Sequence, residues 1–175
     1  MRLFLALPLP DELRSGLITS LERADLPRVR IVRSDLWHIT LAFLDDVPDL
    51  DVEPLVNTCH GLTDGPGTIT IDRLETFPHG NPRLVVASGI AEPRQDWSTF
   101  VEGLRSAMLE FAPAIDRKPW SPHITLGRSG KDELLPMWKA SVGPWTWQPG
   151  GFSLMKSTLA EDGPTYESLH DFFFV

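Results

Sequence analysis

Two hydrophobic periods alternate along the chain. Residues 2–7 form a short apolar run that reads as a buried strand and breaks at Pro8. Leu13, Leu17 and Leu21 then recur every four residues on one helical face, with Asp11 as the expected N-cap and Pro27 as the stop. Residues 29–32 predict a short strand and residues 37–44 a stronger one. Val52, Leu55, Val56 and Cys59 return to helical spacing, with Gly61 near the end. Turn chemistry at Asp64-Gly65-Pro66-Gly67 separates this stretch from two strands, 68–74 and 83–90. Trp97, Phe100, Val101, Leu104, Met108 and Phe111 mark the best helix. Residues 119–128 predict a strand, 134–140 a weak helix despite Pro136, and 152–159 and 169–175 two closing strands.

A short repeat divides this series. Trp37-His38-Ile39-Thr40-Leu41-Ala42-Phe43 and Pro122-His123-Ile124-Thr125-Leu126-Gly127-Arg128 share His-Ile-Thr-Leu, nearly half the chain apart. Each copy falls in a predicted strand with a helical stretch before and after it. Two related lobes, each carrying one copy, follow from that spacing. The paired motifs favour two facing sheets, one to each lobe. A parallel α/β sheet would also fit the alternation of elements, but it gives no reason for the repeat.

On a strand, side chains two apart share a face, so His38 projects with Thr40, and His123 with Thr125. Ile39, Leu41, Ile124 and Leu126 project the other way, under helices. Alternation also puts Phe43 on the buried face, and it leaves Arg128 off the histidine face unless the strand bends at Gly127. A lone strand histidine is more often structural than catalytic. Packing, however, has no reason to demand the same His and Thr on the same face twice.

Two imidazoles near neutrality can divide labour, one taking a proton from an attacking oxygen and the other giving one to a leaving oxygen. Threonine hydroxyls can hold the non-bridging oxygens of a phosphate as charge builds there. This suits in-line cleavage of a phosphodiester. The remaining histidines, His60, His79 and His170, have no matched partner in sequence and read as solvent-facing or loop residues. Neither motif carries a carboxylate at metal-ligand spacing, and the glycine-rich stretches lack a P-loop ending.

The chain has 175 residues and a formal net charge of −8. That balance argues against wrapping long nucleic acid, which needs many Lys/Arg–phosphate contacts, but not against gripping one strand end. Cys59 is the only cysteine, which excludes an internal disulfide and a cysteine zinc site. The apolar opening is too short for a membrane span and lacks signal-peptide features. These observations predict a monomer of the cytoplasm with no membrane association.

The paired motifs resemble those of the two-histidine (2H) phosphoesterases, and most closely the RNA 2′,3′-cyclic phosphodiesterases, also known as 2′-5′ RNA ligases or LigT-like proteins. The resemblance extends over nearly the whole chain: Arg2-Leu3-Phe4-Leu5-Ala6-Leu7, Phe43-Leu44, Phe77-Pro78, Pro82-Arg83, Lys156-Ser157-Thr158-Leu159, Gly163-Pro164 and Tyr166. It implies an α+β, bilobal fold with two pseudo-symmetric antiparallel sheets flanked by helices around a central cleft, as one domain over residues 1–175 built from two intertwined lobes. It also implies hydrolysis of an RNA terminal 2′,3′-cyclic phosphate to a 2′-phosphate, without metal or nucleotide cofactor. By resemblance His38 is the proton donor and His123 the acceptor, Thr40 and Thr125 hold the phosphate, and the RNA 3′ end is the partner. Arg128 is a candidate substrate-binding residue. Some members of the family join RNA ends through 2′-5′ linkages.

Two positions depart from the family pattern: Asp45 where Gly is usual, and Lys156 where Arg is common. Both bear on substrate preference. Other readings stay open at this point. They are a phosphodiesterase for small cyclic nucleotides or 2′-5′ oligonucleotides, and a non-catalytic module that only recognises RNA ends or phosphate.

Overall fold

The opening apolar run is strand β1 (Arg2–Leu7), and the Leu13/Leu17 face belongs to helix α1 (Asp11–Arg23). Asp11 is the first helical residue; Pro10 takes the cap position, and no side chain caps that end. The chain continues through β2 (Arg30–Ile31), β3 (Ile39–Asp46), α2 (Val52–Cys59), β4 (Thr68–Phe77), β5 (Leu84–Glu92) and α3 (Arg94–Ala107). It closes with β6 (His123–Arg128), β7 (Lys139–Trp147), β8 (Gly151–Ala160) and β9 (Gly163–Phe173). The computed structural model describes residues 1–175.

All strand pairings are antiparallel, in the order β7-β4-β5-β6-β3-β1-β8-β9, with β2 on β6. The two expected sheets are thus two four-stranded halves of one sheet. Their junction is a single residue pair, Ile39 with Ile124. Each of these isoleucines follows a motif histidine, so the junction places the two motifs side by side. The halves repeat one arrangement at this junction. β1 leads through α1 to β3, its antiparallel neighbour, and β5 leads through α3 to β6, its antiparallel neighbour.

One apolar cluster underlies both halves. Leu5, Ile39 and Leu41 from one half pack with Ile71, Ile124 and Leu126 from the other, beneath Leu17 of α1 and Trp97 and Val101 of α3. Fully burying each such aliphatic side chain is worth roughly 1.5–3 kcal/mol. The opposite face of the junction carries the motif histidines and threonines, which are only half-buried.

The segment 134–140 is not a helix. Thr76, buried at the end of β4, donates to the carbonyl of Pro136 (3.0 Å) and accepts from the Trp138 amide (3.0 Å). Leu135 N donates to the Pro82 carbonyl (2.8 Å). These bonds hold the segment extended and lead it into β7, a strand whose Gly143-Pro144 pair argues against sheet structure on propensity alone. The predicted strand at 119–128 likewise shortens to its last six residues, and β9 begins earlier than residue 169.

Candidate active site

Each motif histidine is fixed by its own backbone. His38 Nδ1 donates to the carbonyl of Leu36 (2.7 Å), and His123 Nδ1 donates to the carbonyl of Ser121 (2.9 Å). A carbonyl only accepts, so in both rings Nδ1 carries hydrogen and Nε2 is the atom left for chemistry. The same bond, two residues back, recurs in both halves. His38 Nε2 is 3.1 Å from the Thr40 hydroxyl on the same strand face.

Both rings also lean on an aromatic. Phe4 of β1 packs against His38 with ring centroids 4.9 Å apart, and Phe77 at the end of β4 stacks on His123 at 5.1 Å. Tyr166 of β9 meets His38 edge-on at 5.4 Å. These contacts block rotation of the imidazoles and leave Nε2 directed outward.

His38, Thr40, His123, Thr125 and Arg128 all line one cleft of about 510 Å³. All five candidate residues are therefore brought together. Arg128 reaches the cleft through a β-bulge. In the β5–β6 pairing Val85 faces Gly127 and Val86 faces Thr125, so Leu126 is an extra residue. Leu126 and Gly127 are both buried, and the alternation restarts with Arg128 on the cleft face.

The other half repeats this device and overturns the expectation for Phe43. In the β1–β3 pairing Leu5 faces Ala42 and Ala6 faces Thr40, so Leu41 is extra. Leu41 and Ala42 are buried, and Phe43 emerges into the cleft with 63% of its surface exposed. Strict alternation fails at the same point of both motifs, for the same reason.

Side chains from outside the motifs hold the first bulge. Trp120 Nε1 donates to the Thr40 carbonyl (2.9 Å), and Arg105 Nε of α3 donates to the Leu41 carbonyl (2.9 Å). Arg105 also donates from Nη1 to the Lys118 carbonyl (2.8 Å). In the second half Ser88 lies directly opposite His123 and donates to Glu75, which also accepts from Arg73 (3.3 Å) and pairs with His79 (3.1 Å). Burial pushes the Glu75 carboxyl up, but the bonds from Ser88, His79 and Arg73 together hold it below the usual carboxylate range. None of these supporting residues belongs to a sequence motif. They come together only through strand register, which single-sequence patterning does not reveal.

Burial holds His38 below the ordinary histidine value, and the charges of Arg128 and His123 push the same way, against the bond to Leu36. His38 is therefore neutral at pH 7 without a bound anion. No group of three or more His, Cys, Asp or Glu side chains gathers at the spacing of a metal site.

The other positions singled out in the sequence divide between the cleft and its surroundings. Ser157 lines the cleft, whereas its neighbour Lys156 does not. Asp45 lines it at the mouth, beside Arg2 at 3.6 Å. His60, exposed just past α2, and His170, half-buried on β9, lie outside the cleft and meet each other edge-to-face at 4.9 Å, with Phe172 against both. His79 pairs with Glu75.

A model of LigT-like phosphoesterases matches residues 7–86. An RNA 2′,3′-cyclic phosphodiesterase of Thermus thermophilus is 31% identical over 98% of this chain and 89% of its own length. The chain belongs to the LigT-like phosphoesterase family. Solved structures agree with the assignment. TT0787 of Thermus thermophilus superposes with a TM-score of 0.82 at 30% identity, covering 99% of this chain and 98% of that one. The E. coli LigT complexed with 3′-AMP superposes with a TM-score of 0.80 at 28% identity, covering 99% and 97%. Within this LigT-like phosphoesterase no helix is long and apolar enough to cross a membrane.

Proposed function

We propose that this protein hydrolyses the 2′,3′-cyclic phosphodiester at the 3′ end of an RNA to a 2′-phosphomonoester, by acid–base catalysis between His123 and His38. The observation that carries the reading is the repeated geometry. Two imidazoles, each with Nδ1 tied to the carbonyl two residues back, present Nε2 into one cleft beside two threonine hydroxyls. The names of the full-length relatives, RNA 2′,3′-cyclic phosphodiesterases from Thermus thermophilus and E. coli, support the substrate class.

In this reading His123 Nε2 takes a proton from water as the water oxygen attacks phosphorus. The P–O3′ bond breaks on the opposite side, and His38 Nε2 delivers its proton to O3′. Thr40 and Thr125 donate to the non-bridging oxygens, where negative charge grows in the transition state. His38 must be protonated for its part, although burial disfavours that charge. The anionic phosphodiester supplies the remedy, because it offsets the Arg128 charge and favours imidazolium beside it. The proton left on His123 returns through solvent. Related 2′-5′ ligation would use the same groups in the same direction, with a 5′-hydroxyl in place of water as the nucleophile and O3′ again leaving.

The test uses a short RNA ending in a 2′,3′-cyclic phosphate, with EDTA present, and identifies the product monoester. Native protein is expected to release a 2′-phosphate, and His38→Ala and His123→Ala to lose turnover while keeping the native circular dichroism spectrum. Tight binding of this RNA without product would instead establish a recognition module. Turnover surviving in both folded variants would remove the two-histidine mechanism.

A further inference from the structure

β2 is an odd strand. It has two residues, both exposed, so it buries no side chain in the core. It pairs only with β6, setting Arg30 opposite Arg128 and Ile31 opposite Gly127. Like charges directly opposite one another on paired strands are destabilising. No ion pair of the chain includes Arg30 or Arg128, whereas Arg2, Arg33 and Arg73 each have a carboxylate. Both arginines are exposed, and no packing in the core requires the two to face each other.

Their direction is set by the same strand. Val32 N donates to the Leu126 carbonyl (2.8 Å), which continues β2 along β6, and Val32 lines the cleft. Two residues back, Arg30 is on that same face. Ile31 and Gly127 take the other face, where a Cβ added at Gly127 would meet Val29. Arg30 is thus displaced from Arg128 by one strand spacing, about 5 Å, along the edge of β6 that β3 also uses, at the end of β6 remote from His123 and just beyond the side chains that line the cleft. Arg128 is close enough to His38 to lower its pKa, and Arg30 is not among the charges that do so.

We infer that Arg30 and Arg128 form a two-phosphate clamp. Arg128 serves the reacting cyclic phosphate, and Arg30 holds the phosphodiester immediately 5′ to it. One strand spacing is comparable to the step between consecutive phosphates of a stacked ribonucleotide chain. The preferred substrate is then an oligonucleotide end of at least two nucleotides, not a cyclic mononucleotide. This inference rests on the cyclic phosphodiesterase reading above and names the part of the substrate that the histidines do not touch.

The test compares kcat/KM on 2′,3′-cyclic AMP with kcat/KM on a diadenosine dinucleotide ending in a 2′,3′-cyclic phosphate. Native protein is expected to prefer the dinucleotide. Arg30→Gln should cut that preference about tenfold, and should reduce the salt dependence on the dinucleotide by about one ion equivalent. Arg30→Lys should restore most of it, since a point charge suffices for a single phosphate oxygen. Both variants alter an exposed side chain, and unchanged melting temperatures would verify their folding. A preference within twofold of native in Arg30→Gln would overturn the inference. If native protein turns over neither substrate, the cyclic phosphodiesterase reading fails separately. The clamp is then judged by fluorescence anisotropy with 3′-phosphorylated mono- and dinucleotides. Affinity lost in Arg30→Gln for the dinucleotide alone supports it, and any other pattern sinks it.

Discussion

Phe43 and Arg128 occupy the same place in the two halves of the molecule. Each stands five residues beyond its histidine, just past a β-bulge that returns it to the cleft face. The fold is close to a duplication, but the chemistry at this position is not. One half supplies an exposed aromatic and the other a cation. The difference breaks the symmetry of the cleft and, under the proposed function, would give a bound nucleotide a direction, its base stacked on Phe43 and its phosphate held by Arg128.

Replacing the cation tests this directly. Arg128→Gln should lower kcat/KM on RNA with a cyclic end about 10- to 100-fold, the value of one charge-assisted hydrogen bond. It should also raise the His38 pKa toward the ordinary histidine value, because the Arg128 charge depresses it. Proton NMR titration of the His38 ring resonance measures the second effect independently of turnover. If both quantities stay at native values, Arg128 does not act on this cleft.

The bulge of β3 depends on donors from outside the strand. Arg105→Leu removes the partner of the Leu41 and Lys118 carbonyls. A buried acceptor left unsatisfied costs about 1–3 kcal/mol, and each kcal/mol lowers the melting temperature by roughly 2–4 °C in a chain of this size. Activity per folded molecule should fall too, since Thr40 and Phe43 flank the loosened Leu41-Ala42 pair. Arg105→Lys should not rescue, because one ammonium cannot reproduce the guanidinium fork across two carbonyls. A melting curve superimposable on native would show that the bulge holds without Arg105.

Much of this molecule is legible from residue types and spacing. The His-Ile-Thr-Leu repeat locates all four central residues, and period-two alternation places them on the face opposite the core. The failures have physical causes. Alternation sends Phe43 to the buried face because it takes no account of a bulge, which changes strand parity, and no residue type announces one at Leu41. For Arg128, Gly127 does carry such a signal. β7 escapes the pattern because Pro136 and Pro144 oppose sheet propensity, whereas Thr76 supplies tertiary bonds that outweigh it. Ser88, Glu75, Arg105 and Trp120 act through contacts between distant elements, and their sequence neighbours carry no trace of that.

Asp45 offers a test of strain at the cleft mouth. Its φ of 58° lies in the left-handed region, where a side chain costs roughly 1 kcal/mol and glycine is at ease. Its ion pair with Arg2, at 3.6 Å, is largely exposed and returns little. Asp45→Gly should therefore raise the melting temperature by about 2–4 °C. Under the proposed function it also removes a negative charge from the cleft that receives the RNA phosphate, so KM for RNA should fall. A lower melting temperature would mean that the Arg2 contact outweighs the backbone strain.

Stability should depend on pH through His38. Its folded-state pKa is lowered by burial first, and then by Arg128 and His123, relative to an unfolded value near 6.5. Between those two values the unfolded chain binds more protons at this site than the folded one, so stability rises with pH there. The contribution is complete above about pH 6.5 and is lost as pH falls through the unfolded pKa toward the folded one. His38→Gln keeps a polar group in the same place without the titration. Melting temperatures from about pH 7.5 to about pH 5 should fall more steeply for native protein than for this variant, and the two curves should run parallel above about pH 7. Inorganic phosphate should flatten the native slope, because an anion in the cleft favours the charged imidazole and raises the folded-state pKa. Equal slopes for native protein and His38→Gln would show that His38 is not held neutral by its surroundings, and that the cleft needs no anion to arm it.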